Sequence, residues 1–107
     1  MKIAVAQISC SLGDPNANLL KVRDFTRRAK DEAGAELIVF PEMTDTGYSM
    51  PVIRANANHW KSGFVPGLQE IARKLSIAIV AVVAIESVGA IVDGELGAET
   101  DVDAFAV

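Results

Sequence analysis

Alternating, helical and continuous apolar patterns succeed one another along this chain, and each predicts a different element. Ile3, Val5 and Ile8, separated by small residues, predict a strand over Lys2–Ser9. Gly13-Asp14-Pro15-Asn16 then concentrates turn chemistry: Pro15 fixes φ, while Asp14 and Asn16 offer side-chain acceptors to free backbone donors. From Ala17 to Ala33 the spacing is helical. Leu19, Val22, Phe25, Thr26, Ala29 and Ala33 share one face, and Lys21, Arg27, Arg28 and Lys30 lie mostly elsewhere. Gly34 is placed to end that helix in a left-handed cap. Leu37–Phe40 is a continuous apolar run, the pattern of a strand buried on both faces. Pro41, lacking an amide donor, is expected to stop regular pairing.

Residues 43–65 are polar and read as a long irregular connection, with Gly47, Pro51 and Gly63 as breakers and an aromatic group of Tyr48, Trp60 and Phe64. Connections of this length in a compact domain are often functional. Pro66 opens a second helix to about Leu75, striped by Leu68, Ile71, Ala72 and Leu75. Ile77–Ile85 is an unbroken apolar run, long enough for a central strand and too short for a membrane helix. The order β-α-β-α-β implies an α/β protein with a parallel sheet and right-handed crossovers.

Composition narrows the function classes. At 107 residues, half of them hydrophobic, the chain is sized for one domain with a modest core. A net charge of −4 gives no overall basic surface, so nucleic acid is not an expected partner. With no apolar span of membrane length, neither is a bilayer. The opening Met-Lys-Ile-Ala-Val has none of the zones of a secretory signal. The single cysteine, Cys10, cannot form an internal disulfide, which suits a cytoplasmic protein. Charge is unevenly spread: residues 1–80 hold ten Lys/Arg against eight Asp/Glu, whereas residues 81–107 hold six acids and no base. The segment after residue 80 reads either as an acidic, partly ordered terminus or as a tail foreign to the fold before it.

The chemistry is concentrated at Glu42. A carboxylate just past the carboxyl end of a buried parallel strand lies where open α/β sheets place their sites, and half-burial there suits a general base. The alternative is a loop acid serving as a cap or ion-pair partner. Cys10 reads as a buried, inert strand cysteine. His59 has no cluster of Cys, His or acids spaced around it for a metal. Asp14 and Asn18 read as turn and helix-start residues, and Arg27-Arg28 with Lys30 as a solvated helix face. Gly13-Asp14-Pro15-Asn16 lacks the further glycines of a dinucleotide loop, which speaks against a nucleotide-binding domain.

Gln7, Gly13-Asp14, Asn18 and Ala35-Glu-Leu-Ile-Val-Phe-Pro-Glu-Met43 ahead of Thr46-Gly47-Tyr48, with Glu70 to Val80 following, resemble the nitrilase superfamily of carbon–nitrogen hydrolases in order and spacing. The resemblance implies part of a nitrilase-type α-β-β-α sandwich over residues 1–80. Residues 81–107 would hold the end of the third strand and an atypical acidic tail. It also implies hydrolysis of a small amide, nitrile or carbamoyl substrate by a Glu-Lys-Cys set, through a thioester and without metal or organic cofactor. Glu42 falls on the base and Tyr48 near the substrate pocket. The lysine and cysteine of that set lie downstream in the family, and beyond residue 80 this chain has neither. The expectation is therefore an amino-terminal piece, truncated and inactive alone, that forms a homo-oligomer or associates through an exposed sheet face. A non-catalytic module that pairs with full-length relatives through that face is the alternative.

Overall fold

The computed structural model describes residues 1–56, 63–86 and 100–106. Among these lie four strands, β1 (Ile3–Val5), β2 (Leu37–Glu42), β3 (Ala78–Glu86) and β4 (Thr100–Ala106). Three helices accompany them: α1 (Pro15–Ala33), α2 (Met50–Asn56) and α3 (Phe64–Leu75). The strands form one sheet in the order β1-β2-β3-β4. The first three are parallel, with Ile3 opposite Leu37, Val5 opposite Val39, Leu37 opposite Ala78 and Val39 opposite Val80. β4 runs antiparallel to β3, from Thr100 opposite Glu86 to Ala106 opposite Val80. The parallel β-α-β-α-β unit is the one the sequence predicts. The fourth strand is not: it falls in the acidic segment that the sequence reads as a terminus or tail, and its backbone supplies partners for the edge of β3.

Helix α1 starts two residues earlier than its apolar spacing suggests. Asp14 caps it by accepting the Ala17 amide at 3.1 Å, and Pro15 takes a first-turn position where no amide is needed. Gly34 ends it at φ 65°, donating its N–H back to the last turn. α3 likewise begins at Phe64, ahead of Pro66, because proline is tolerated where the first-turn amides lack partners. Basic residues of α1 are engaged locally, Arg27 and Arg28 by acids and Lys30 by a carbonyl. Asp24 pairs with Arg27 at 2.8 Å, Arg28 pairs with Glu32 at 3.4 Å, and Lys30 donates to the Leu75 carbonyl at the end of α3.

Both long helices cover the same side of the sheet. Ile38, Phe40, Ile79, Ala81 and Val83 are buried there against Val22 of α1 and Leu68 and Ile71 of α3. Burying each larger side chain contributes about 1.5–3 kcal/mol. The alternate residues form an apolar face that no described element covers along most of its length: Ile3 is 55% and Val5 71% exposed, and Val39 and Val80 are half-buried. Only its carboxyl end is closed, by Met43, Ile53 of α2 and Ala84, with Val82 packed against them. That contact also explains why residues 50–56 are helical although the sequence reads as irregular. A seven-residue helix gains little from propensity, and tertiary packing of Ile53 decides it. His59 and Trp60 lie outside the described residues.

Candidate functional site

The end of β2 does not continue the regular ladder. Val39 stands opposite Val80, so an unbroken register would place Glu42 opposite Val83, whose side chain is buried under the helices. Instead Glu42 stands opposite Val82. Three steps on β2 match two on β3, and this bulge turns Glu42 to the face shared by Val39, Val80 and Val82. Pro41 sits inside it, where the missing N–H removes a rung that regular pairing would need. Proline thus interrupts the ladder as expected, but the strand resumes for one further residue. Glu42 is exposed, not half-buried.

Beyond Glu42 the chain makes a tight turn whose residues Met43 to Gly47 are all buried. Met43 adopts φ 56°, donates its N–H to the Val82 carbonyl at 2.8 Å and accepts from the Gly47 amide at 2.8 Å. Asp45, 4% exposed, accepts the Ala84 amide with both carboxylate oxygens, at 3.3 and 3.2 Å. Along the edge of β3, the Val82 carbonyl and the Ala84 amide are the groups that a longer β2 would engage. Met43 takes the first through its backbone, and Asp45 takes the second through its side chain. Asn18, fully buried on α1, fastens the turn from below. Its amide donates to the carbonyls of Asp45 at 2.9 Å and Ser11 at 2.8 Å, and its oxygen accepts the Ser11 amide at 2.7 Å. Gly13 completes the clamp by donating to the Thr46 carbonyl at 2.8 Å.

Burial pushes the Asp45 carboxyl above its ordinary range, although the amides of Ala84, Thr46 and Asp45 itself pull it back. Burial also pushes the Cys10 thiol up, with Lys21 opposing and the charge of Asp45 reinforcing. A thiol held protonated is a poor nucleophile, but Cys10 lies beyond the end of β1 and is only half-buried, not the buried strand cysteine expected. Tyr48 stands just past the turn and is 68% exposed. Glu42 and Tyr48 therefore flank one rigid turn, and no hydrogen bond joins them among the described residues. An open groove of about 600 Å³ crosses the carboxyl ends of β1 and β2, lined by Val5, Gln7, Ser9, Val39 and Pro41 among others, with Glu42 one residue beyond its edge. No group of three or more His, Cys, Asp or Glu that could hold a metal occurs among the described residues. Nor is any described helix long and apolar enough to cross a membrane.

Asp45 is the residue that matters here beyond the sequence reading, and Asn18, already part of the family pattern there, gains its role in fastening the turn. Asn18 looks like an ordinary helix-start residue. Asp45 is hidden in Thr44-Asp45-Thr46-Gly47, a run of side-chain acceptors directly after a proline-broken strand, which was the available signal.

Helices over one face of a mostly parallel sheet, with a carboxylate turned to the other face at the strands' carboxyl edge, define an α/β domain of the kind that builds its site at that edge. Residues 2–97 match the family model for carbon-nitrogen hydrolase, and the chain belongs to that family. The match runs past residue 80 into the acidic segment. An amidase from Nesterenkonia sp. AN1, in a double mutant solved in complex with acrylamide, superposes with a TM-score of 0.70 at 32% identity, over 78% of this chain and 32% of that one. A cysteine-to-alanine mutant of the same amidase, described as from the nitrilase superfamily, gives a TM-score of 0.74 at 28% identity, over 100% of this chain and 38% of that one. The glutamine-dependent NAD(+) synthetase of Mycobacterium bovis is 42% identical over 50 residues, which is 47% of this chain and 7% of the synthetase. The chain thus spans about a third of the amidase and a small part of the synthetase.

Proposed function

We propose that this chain is the glutamate-bearing portion of a carbon–nitrogen hydrolase acting on a small amide, nitrile or carbamoyl compound, with Glu42 as the general base. The observation that carries the reading is the bulge: it turns a family-matching glutamate away from the helix-covered core and onto the open face. In the reaction the glutamate takes a thiol proton and the thiolate attacks the substrate's electrophilic carbon. For an amide, the C–N bond breaks as the leaving nitrogen takes up a proton, and water then cleaves the thioester, returning acid and thiol. A lysine stabilises the charge that develops on the substrate oxygen. Tyr48, at the far end of the same turn, would contact substrate.

The lysine and the nucleophilic cysteine must come from elsewhere. No lysine follows Lys74, and the only cysteine is Cys10, whose thiol burial holds protonated. The 107 residues are therefore expected to be inactive on their own, in a reducing cytosol that suits a lone thiol. Assay of the purified chain against small amides, nitriles and carbamoyl compounds tests this. Turnover that is lost in Glu42→Gln and kept in Cys10→Ala would refute the claim of inactivity. Supplying the remaining two thirds of a related amidase in trans should restore turnover that depends on Glu42, and no rescue would count against the base assignment.

The exposed apolar face, with Ile3 and Val5 largely open to solvent, favours a second reading. In it the chain is a non-catalytic module that associates with a second copy or a longer relative through that face. A stable mixed oligomer whose hydrolysis is indifferent to Glu42→Gln would support it.

A further inference from the structure

Asp45 is the buried carboxylate among the described residues, and the proposed reaction does not use it. Burying a carboxylate is unfavourable unless its oxygens are engaged, and an asparagine could accept the same Ala84 amide without a charge. The acid is nevertheless placed three residues after Glu42, in the turn that terminates β2. Its partner amide lies two residues along β3 from Val82, the residue opposite Glu42. Two anchors to β3 therefore follow Glu42, one through the Met43 backbone and one through the Asp45 side chain. The second comes with the Asn18 clamp, which holds the Asp45 carbonyl at 2.9 Å from the opposite side.

We infer that Asp45 is a positioning residue for Glu42: its carboxylate, taking the Ala84 amide, stands in for the next rung of β2 and keeps Glu42 on the open face of the sheet. Removing that rung leaves one backbone hydrogen bond to hold the bulged end of the strand against β3. The inference rests on the reading of Glu42 as the base for its purpose, but its geometry is tested independently of any hydrolysis.

The test uses the 107-residue chain labelled with carbon-13 at glutamate, the Glu42 carboxyl signal being assigned by its loss in Glu42→Gln. In Asp45→Ala the Ala84 amide should exchange with solvent at least tenfold faster and the Glu42 signal should shift. In Asp45→Asn, whose amide oxygen can still accept, both should stay near their original values. A purely structural Asp45 would instead lower the thermal midpoint in Asp45→Ala and leave the Glu42 signal in place. The unsubstituted chain provides a second measurement: on lowering pH, the Glu42 signal should show an added inflection at the pH where Asp45 takes its proton, absent in Asp45→Asn. Cys10 interacts with the charges of both Asp45 and Lys21, and a Cys10→Ser background removes the thiol. A Glu42 signal unmoved in Asp45→Ala overturns the inference. Should that variant not fold, a titration without the shared inflection overturns it.

Discussion

Asp45 shows how a single side chain can make stability depend on pH in the less familiar direction. Its carboxyl is raised above the ordinary value of 3.8, so the folded chain binds that proton more tightly than the unfolded chain. The unfavourable contribution is complete above the raised value, shrinks as pH falls through the window down to 3.8 and vanishes below it. Asp45→Asn keeps an acceptor for Ala84 and carries no charge. It is expected to raise the thermal midpoint at neutral pH and to flatten the pH dependence of stability across that window, as denaturation at a series of pH values would show. Gly47 is constrained differently. Its φ is 82°, and an added Cβ would fall 2.5 Å from Leu12 Cδ2 and 3.2 Å from the Leu12 Cα. Gly47→Ala should therefore destabilise the chain by about 1–3 kcal/mol in urea denaturation, a typical cost of holding a side-chain-bearing residue in that region. Neither effect is legible in the sequence, because both depend on what lies across the turn.

At the scale of elements, α1 was the most legible. Its apolar spacing, its cap at Asp14 and its stop at Gly34 are local signals, and the helix forms where they agree. Its one internal discord is Thr26, fully buried, whose hydroxyl has no hydrogen-bond partner among the described residues. Replacing it by valine keeps the shape and removes the orphaned group, so Thr26→Val should stabilise the fold by about 1 kcal/mol or more, read from the shift in denaturation midpoint. β2 was legible as far as Phe40. Pro41 announces that pairing is interrupted, but the sequence does not say whether the chain leaves the sheet or bulges and rejoins it. The rejoining depends on Val82 and Ala84 offering free backbone groups at the right height on β3. α2 and β4 were missed for a related reason: one is held by Ile53 against Met43 and Ala84, the other by backbone pairing with β3, and neither carries a strong pattern of its own.

At the scale of the whole molecule, the second face of the sheet is left open along most of its length among the described residues. An apolar face with Ile3 and Val5 exposed at its β1 edge should promote association. Val5→Lys places a charge on that face without touching the helix-side core. It is expected to shift the sedimentation profile toward the monomer while leaving the thermal midpoint nearly unchanged. An unaltered profile would mean that association, if present, uses another surface.

The sequence by itself determined the α/β class and the parallel run of the first three strands, because these follow from local periodicity and caps, and its motifs carried the resemblance to the family that the comparison then showed. It also singled out Glu42 and showed that no lysine follows Lys74. Only the tertiary structure decided which way Glu42 faces. Side chains alternate across a strand, so a bulge of one residue exchanges the two faces of the sheet, and its place depends on the register between β2 and β3. The same register brought Asp45 to the Ala84 amide and made a residue of an ordinary-looking polar turn into part of the scaffold beneath the carboxylate.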